Sequence, residues 1–303
     1  MSISVFPFDQ AFAAEVGDVD LRHPSPEDVA AISAAFARYA VLVFPAQPIE
    51  LEHQMAFAAN FGPLETRSVD AAFSGRKARL RAEIADVGNL DADGRIWDEN
   101  SRFRKFQMGN RLWHTDSSFK APSGYVSMLY GYKVAPIGGH TQFCDLRAAY
   151  DALPEATRAT VEGLQAEHSL MFSRARLGFV DFTDQEKIDY APVVRPLVRT
   201  IPESGRRSLY IASHIGHIHG MSDPEAIALV DELTRHATQP RFVYTHRWRD
   251  GDLVMWDNRC TMHRGTAFED TRWVRDLRRV TTSDRIDAFG RPDPRTTPSA
   301  AEY

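Results

Sequence analysis

Apolar residues follow one period in the first part of the chain and another after residue 112. Val29, Ile32, Phe36 and Tyr39 recur at three- and four-residue steps, the spacing of one helical face. Ser25-Pro26-Glu27-Asp28 just before them supplies a cap and a proline suited to the first turn. The unbroken apolar run 40–44 reads as a buried strand. A second helix is predicted over 50–60, stopped by Phe61-Gly62-Pro63. The N-terminal third therefore reads as helices around one short strand. From 65 to 106 charges, glycines and scattered aromatics keep no period, which predicts a functional lid or excursion.

Beyond residue 112 the pattern shortens into β segments. Strands are predicted over 125–134, 141–144, 193–200, 208–213, 241–246, 252–256 and 277–282. Pro196 marks the third as an edge or irregular strand. Helices are predicted over 146–153, 154–164 and 223–237. The last opens on the capping box Ser222-Asp223-Pro224-Glu225. Many short strands separated by turns predict a sandwich or barrel, mainly β with flanking helices. Residues 1–285 are read as one domain and 286–303 as a flexible tail.

Charge and composition narrow the partners. Lys+Arg 36 against Asp+Glu 41 leaves a net charge of −5 and no basic stripe for nucleic acid. No apolar run approaches the roughly 18 residues of a membrane span. The first residues lack a basic and then continuously apolar leader, so no signal peptide is expected. Two cysteines, Cys144 and Cys260, cannot form a disulfide scaffold and fit reduced thiols in a cytoplasm.

Three constellations carry candidate chemistry. In Trp113-His114-Thr115-Asp116, an extended backbone would send His114 and Asp116 to one side and Trp113 to the other, toward the core. With a third ligand they would form a two-histidine, one-carboxylate face with open positions, suited to non-haem Fe(II). Alone, His-x-Asp is equally a solvated or hydrogen-bonded pair. The run from Gly251 to Gly265 leads a buried strand through a polar turn to His263, at a barrel rim or simply satisfied by backbone. In Arg275-Asp276-Leu277-Arg278-Arg279, a strand would put Arg275, Leu277 and Arg279 on one face. Two inward arginines imply two anions, or one anion and a structural carboxylate, against the alternative of a solvated basic face.

Taken together, His-x-Asp, a histidine 149 residues later and arginines 12 and 16 beyond it resemble the taurine/2,4-dichlorophenoxyacetate dioxygenase family of Fe(II)/2-oxoglutarate oxygenases. Supporting phrases are Pro136-Ile137-Gly138-Gly139-His140-Thr141, Asp145-Leu146-Arg147-Ala148-Ala149-Tyr150-Asp151 and Trp256-Asp257-Asn258-Arg259. The resemblance spans nearly the whole chain and implies a double-stranded β-helix (jelly roll). It implies His114, Asp116 and His263 as iron ligands, with Thr141 and Arg275 on 2-oxoglutarate and Arg279 on the anionic group of a small substrate. Asn110 is a further candidate for the substrate space, with turn capping as its other reading. O2 is the second cosubstrate, and a homo-oligomer is expected.

The segment after Phe61-Gly62 lacks the histidine that taurine-type enzymes place there, and the phrases around 143–154 and 258–265 are nearer phenoxyacetate-cleaving enzymes. The resemblance thus implies hydroxylation of an aryloxyalkanoate beside its ether oxygen, giving a phenol, glyoxylate, succinate and CO2. The alternatives are another small carboxylate, an alkylsulfonate such as taurine, or a non-catalytic anion-binding jelly roll. His214, His217 and His219 read as a loop at the pocket mouth rather than a second metal site.

Overall fold

The computed structural model describes residues 3–66 and 79–292. Its largest sheet has seven strands among the described residues, in the order Ser4–Pro7, Ala13–Gly17, Val41–Phe44, Leu253–Asp257, Gly124–Lys133, Asp276–Ser283 and Ile84–Asp86. Pairing is antiparallel except between Ala13–Gly17 and Val41–Phe44. A second sheet joins Val243–His246, Thr141–Asp145 and Thr261–Gly265.

Strand alternation sorts the core into layers. Leu42, Phe44, Met128, Tyr130 and Met255 pack with Ile32, Phe36 and Phe57 from the helices Pro26–Tyr39 and Leu51–Ala59. Their neighbours Val41, Val43, Leu129, Val254 and Trp256 face the other way and meet Phe143 of the second sheet. Beyond that sheet, Cys144 and Met262 pack with Ala226, Val230 and Leu233 of the helix Asp223–Ala237. His263 is the sequence neighbour of Met262, so it points inward, between the two sheets.

Most expected elements appear with shifted ends, and four differences are instructive. Ahead of the first helix lie two further strands, Ser4–Pro7 and Ala13–Gly17, whose short or alanine-rich sequences carry no β signal. The predicted 193–200 strand divides at Leu197 into Val193–Pro196 and Val198–Thr200, which pair in different sheets. Val193–Pro196 is indeed an edge strand. His114 makes only a single bridge, to His263, and Asp116 begins a turn, so the ligand pair is not on a regular strand. Within the predicted tail, 286–292 form a turn closed by Asp287 N–H donating to the Arg291 carbonyl; 293–303 lie outside the described residues. So does part of the predicted lid, whose described part contributes Ile84–Asp86 and the helix Arg102–Gln107. No helix among the described residues is long and apolar enough to cross a membrane.

Candidate active site

His114 and His263 exchange backbone hydrogen bonds, His114 N–H to the His263 carbonyl at 3.0 Å and the reverse at 2.8 Å. Their rings therefore lie side by side, with centroids 4.2 Å apart. Asp116 is brought to them by a turn that Asn258 holds from below. The Asn258 Oδ1 accepts from Asp116 N–H at 3.0 Å and from Trp256 Nε1–H at 3.0 Å. Its amide nitrogen donates to Ser127 Oγ at 2.9 Å, and Ser127 in turn donates to Asp116 Oδ2 at 2.7 Å. The other oxygen, Oδ1, lies 3.8 Å from His114 Nε2 and 3.7 Å from His263 Nε2.

This donor set fits a divalent metal. All three side chains are buried, and their ligand atoms lie within 4.8 Å of one another. His114 Nδ1 is 2.7 Å from the Leu112 carbonyl, which makes Nδ1 the protonated nitrogen and turns the Nε2 lone pair toward Asp116. Burial pushes the His114 pKa down to about 4 and that of His263 well below its ordinary value. Both rings are thus neutral at neutral pH, the form that binds metal. Burial works against the charge of Asp116, but its surroundings, the Arg279 guanidinium first, outweigh it and hold the carboxyl below its usual range.

Two cavities meet at His114 and Arg279. The smaller, about 100 Å³, also contains His263, Thr141 and Arg275. Arg275 is only 8% exposed and donates to the carbonyls of Val87 at 2.6 Å and Gly139 at 3.3 Å. Among the described residues it has no carboxylate partner. Burial, with Arg111 adding to it, pushes its pKa down to about 10. A buried guanidinium in this state favours an incoming anion. Gly139 reaches it through the turn Gly138-Gly139, both with positive φ; a Cβ on Gly138 would come within 2.5 Å of the Ala267 carbonyl. Thr141 Oγ1 accepts a 2.9 Å bond from Trp248 Nε1. An indole N–H only donates, so the threonine hydroxyl keeps its own hydrogen for a ligand.

The larger cavity, about 370 Å³, adjoins Asp116, Phe119, Arg174, Tyr190 and His214. Arg279 pairs with Leu129 across the sheet and shares the inward face with Leu277. Its Nη1 donates to Asp116 Oδ1, while Arg278 turns outward onto Asp276 and Tyr132. Asn110 lines both cavities from the 3-10 turn Met108–Arg111 and donates to Gln107. Trp113 packs away from the metal donors, against the second sheet's outer core and under Arg264.

The three-histidine tract splits. His214 is buried against the site, its ring 6.0 Å from that of His114 and its Nδ1 2.9 Å from Ser173 Oγ. His217 and His219 lie on the far side with Glu167, half-exposed, His217 bonded to Asp223. Sequence reasoning missed Asn258, Ser127, Trp248 and Arg174 as site residues, and had His214 only at the pocket mouth. Asn258 alone had a signal, in the Trp256-Asp257-Asn258-Arg259 phrase.

The family model described as "Taurine catabolism dioxygenase TauD, TfdA family" matches residues 4–281. The chain belongs to this family. It is 45% identical over 286 residues to the alpha-ketoglutarate-dependent 2,4-dichlorophenoxyacetate dioxygenase of Cupriavidus pinatubonensis, covering 94% of this chain and 99% of that one. It is 38% identical to the (S)-phenoxypropionate/alpha-ketoglutarate-dioxygenase of Sphingobium herbicidovorans, covering 89% and 92%. Among solved structures it is similar to AAD-2 in complex with Mn(II) and N-oxalylglycine, at a TM-score of 0.90 and 44% identity, covering 97% of this chain and 100% of that one. The family read from the motifs is thereby borne out.

Proposed function

We propose that this family member is an Fe(II)- and 2-oxoglutarate-dependent dioxygenase that hydroxylates an aryloxyalkanoate beside its ether oxygen. The observation that carries the reading is a buried His-Asp-His set between two cavities, one of which ends in an arginine that meets no carboxylate among the described residues. The choice of substrate is supported by relatives that share most of the chain and are named for phenoxyacetate and phenoxypropionate. The two facing sheets are read as halves of a double-stranded β-helix, with residues 1–285 as one catalytic unit. A cytoplasmic homo-oligomer belongs to the same reading; buried, unpaired Cys144 and Cys260 agree with a reducing compartment, and light scattering tests the assembly.

His114, Asp116 and His263 would hold the metal. When bound, Fe(II) with 2-oxoglutarate and O2 supplies the oxidation, one oxygen atom entering succinate as CO2 leaves and the other entering the substrate. Arg275 clamps the distal carboxylate of 2-oxoglutarate and Thr141 donates its hydroxyl hydrogen to it. Arg279 orients the substrate acid, so that the carbon beside the ether oxygen faces the metal donors. Asn110 borders the substrate space. Hydroxylation there gives a hemiacetal that collapses to a phenol and glyoxylate. The protein's part is to orient both acids and to limit side reactions.

The test is a panel of aryloxyacetates, aryloxypropionates and alkylsulfonates assayed for succinate, for phenol and for the 2-oxo acid released with it. Fe(II)-dependent phenol with glyoxylate from the aryloxyacetates, or with pyruvate from the aryloxypropionates, is the expected result. Succinate only with alkylsulfonates would replace the substrate, and no succinate with any acid would overturn the enzyme assignment.

A further inference from the structure

In the larger cavity nearly every charge has an opposite partner. Arg79 is bonded to Asp86 at 2.8 Å, Lys120 to Glu65 at 2.9 Å and Arg81 to Glu83 at 3.4 Å. Arg279 is bonded to Asp116, and Asp189 accepts from Gln185. Among the cations that line it in the described residues, Arg174 is the exception. It is 5% exposed, its Nη1 reaches only the Ser173 hydroxyl at 3.2 Å, and its Nε finds no acceptor. Among the described residues no carboxylate meets it.

The guanidinium is nonetheless held in place. Its Cζ sits 4.6 Å above the Phe106 ring. Gly109 makes room on the other side, since a Cβ there would come within 2.1 Å of Cζ. Burial, opposed only weakly by Tyr190 and reinforced by Arg279, pushes its pKa down to about 10. Its charge also disfavours protonation of His114 and His214. A fixed, desolvated cation facing a cavity is stabilised by an anion that arrives with the ligand.

We propose that Arg174 is a second carboxylate anchor of the substrate cavity, which together with Arg279 holds the acid group of the prime substrate. This rests on the aryloxyalkanoate reading for the ligand's identity and on the cavity alone for its charge. One carboxylate oxygen goes to each guanidinium, which fixes the acid at two points and leaves the aryl ring toward Phe119 and Tyr190. Discrimination between an acid and its neutral amide then depends on both arginines.

The experiment compares wild type with Arg174→Met, Arg174→Lys and Gly109→Ala, all loaded with Fe(II) and 2-oxoglutarate. Loss of a charge-assisted bond predicts that Arg174→Met weakens phenoxyacetate by roughly tenfold or more. The KM for 2-oxoglutarate stays within about twofold, since Arg174 lines only the larger cavity while Arg275 and Thr141 line only the smaller. Arg174→Lys recovers part of the loss, and Gly109→Ala reproduces it by displacing the guanidinium. The preference for phenoxyacetate over phenoxyacetamide falls in parallel. Equal losses for both cosubstrates, or an unchanged acid-over-amide preference in the folded variants, would overturn the anchor. Anaerobic calorimetry with phenoxyacetate and with hexanesulfonate separates this from the substrate reading. Wild type that binds only hexanesulfonate, with Arg174→Met weakening it, rejects the aryl ether and keeps the anchor. Wild type that binds neither rejects both.

Discussion

Asp116 is the only anion among the three metal donors, and one of its oxygens also holds Arg279. Asp116→Ala should therefore abolish turnover and weaken Fe(II) retention, read by metal titration of the purified variant; unchanged affinity would remove Asp116 from the donor set. Among the described residues the Arg275 guanidinium is bonded only to carbonyls. Arg275→Ala should cost about 1.5–3 kcal/mol of 2-oxoglutarate binding, or roughly 10–150-fold, with a far smaller effect on the prime substrate. Steady-state KM values for both ligands decide it. The metal donors and these arginines were legible because their spacing is fixed by the chemistry they share. Arg174 was not, since Phe172-Ser173-Arg174 carries no local pattern, and His214 was read only as part of a histidine loop at the pocket mouth. Their meaning arises only where distant segments are folded onto the site.

At the scale of elements, the metal donors sit where a turn and a strand are pinned together rather than on one strand. The pin is Asn258, which bonds Asp116, Trp256, Ser127 and the Tyr125 carbonyl. Asn258→Ala should destabilise the protein by about 1–3 kcal/mol, since buried partners are left unpaired. It should also lower Fe(II) affinity although Asn258 touches no metal; denaturant unfolding together with a metal titration reads both. Strands with near-continuous apolar runs, such as Gly124–Lys133 and Leu253–Asp257, were visible in the sequence because each face meets a different apolar layer. Ala13–Gly17 and Ile84–Asp86 were not. Their β structure comes from the strands beside them, Val41–Phe44 and Asp276–Ser283, rather than from their own residues.

For the whole molecule, burial of histidine sets the response to acid. His114, His168, His214 and His263 are all buried, and burial lowers each pKa, to about 4 for His114 and about 3 for His168. In the unfolded chain these groups take up protons near pH 6.5. Below that pH the unfolded state binds more protons than the native one, so stability falls as pH drops from about 6.5 toward 4. Depressed carboxylates such as Asp116 and Asp252 act in a lower window, below their ordinary values. The melting temperature of the metal-free protein should therefore decline between pH 7 and pH 5. His168→Gln, whose residue bonds Ser118 away from the metal donors, should flatten that decline. A melting temperature constant over this range would refute the linkage. The reciprocal backbone bonds of His114 and His263 have one more consequence at this scale. They close a loop of 149 residues through backbone groups alone, so the two histidines are clasped by bonds that leave their ring nitrogens free to act as donors. Since neither bond uses a ring nitrogen, the amides of His114 and His263 should resist solvent exchange after chelator treatment as well as after Fe(II) addition, and loss of protection on chelation would refute this.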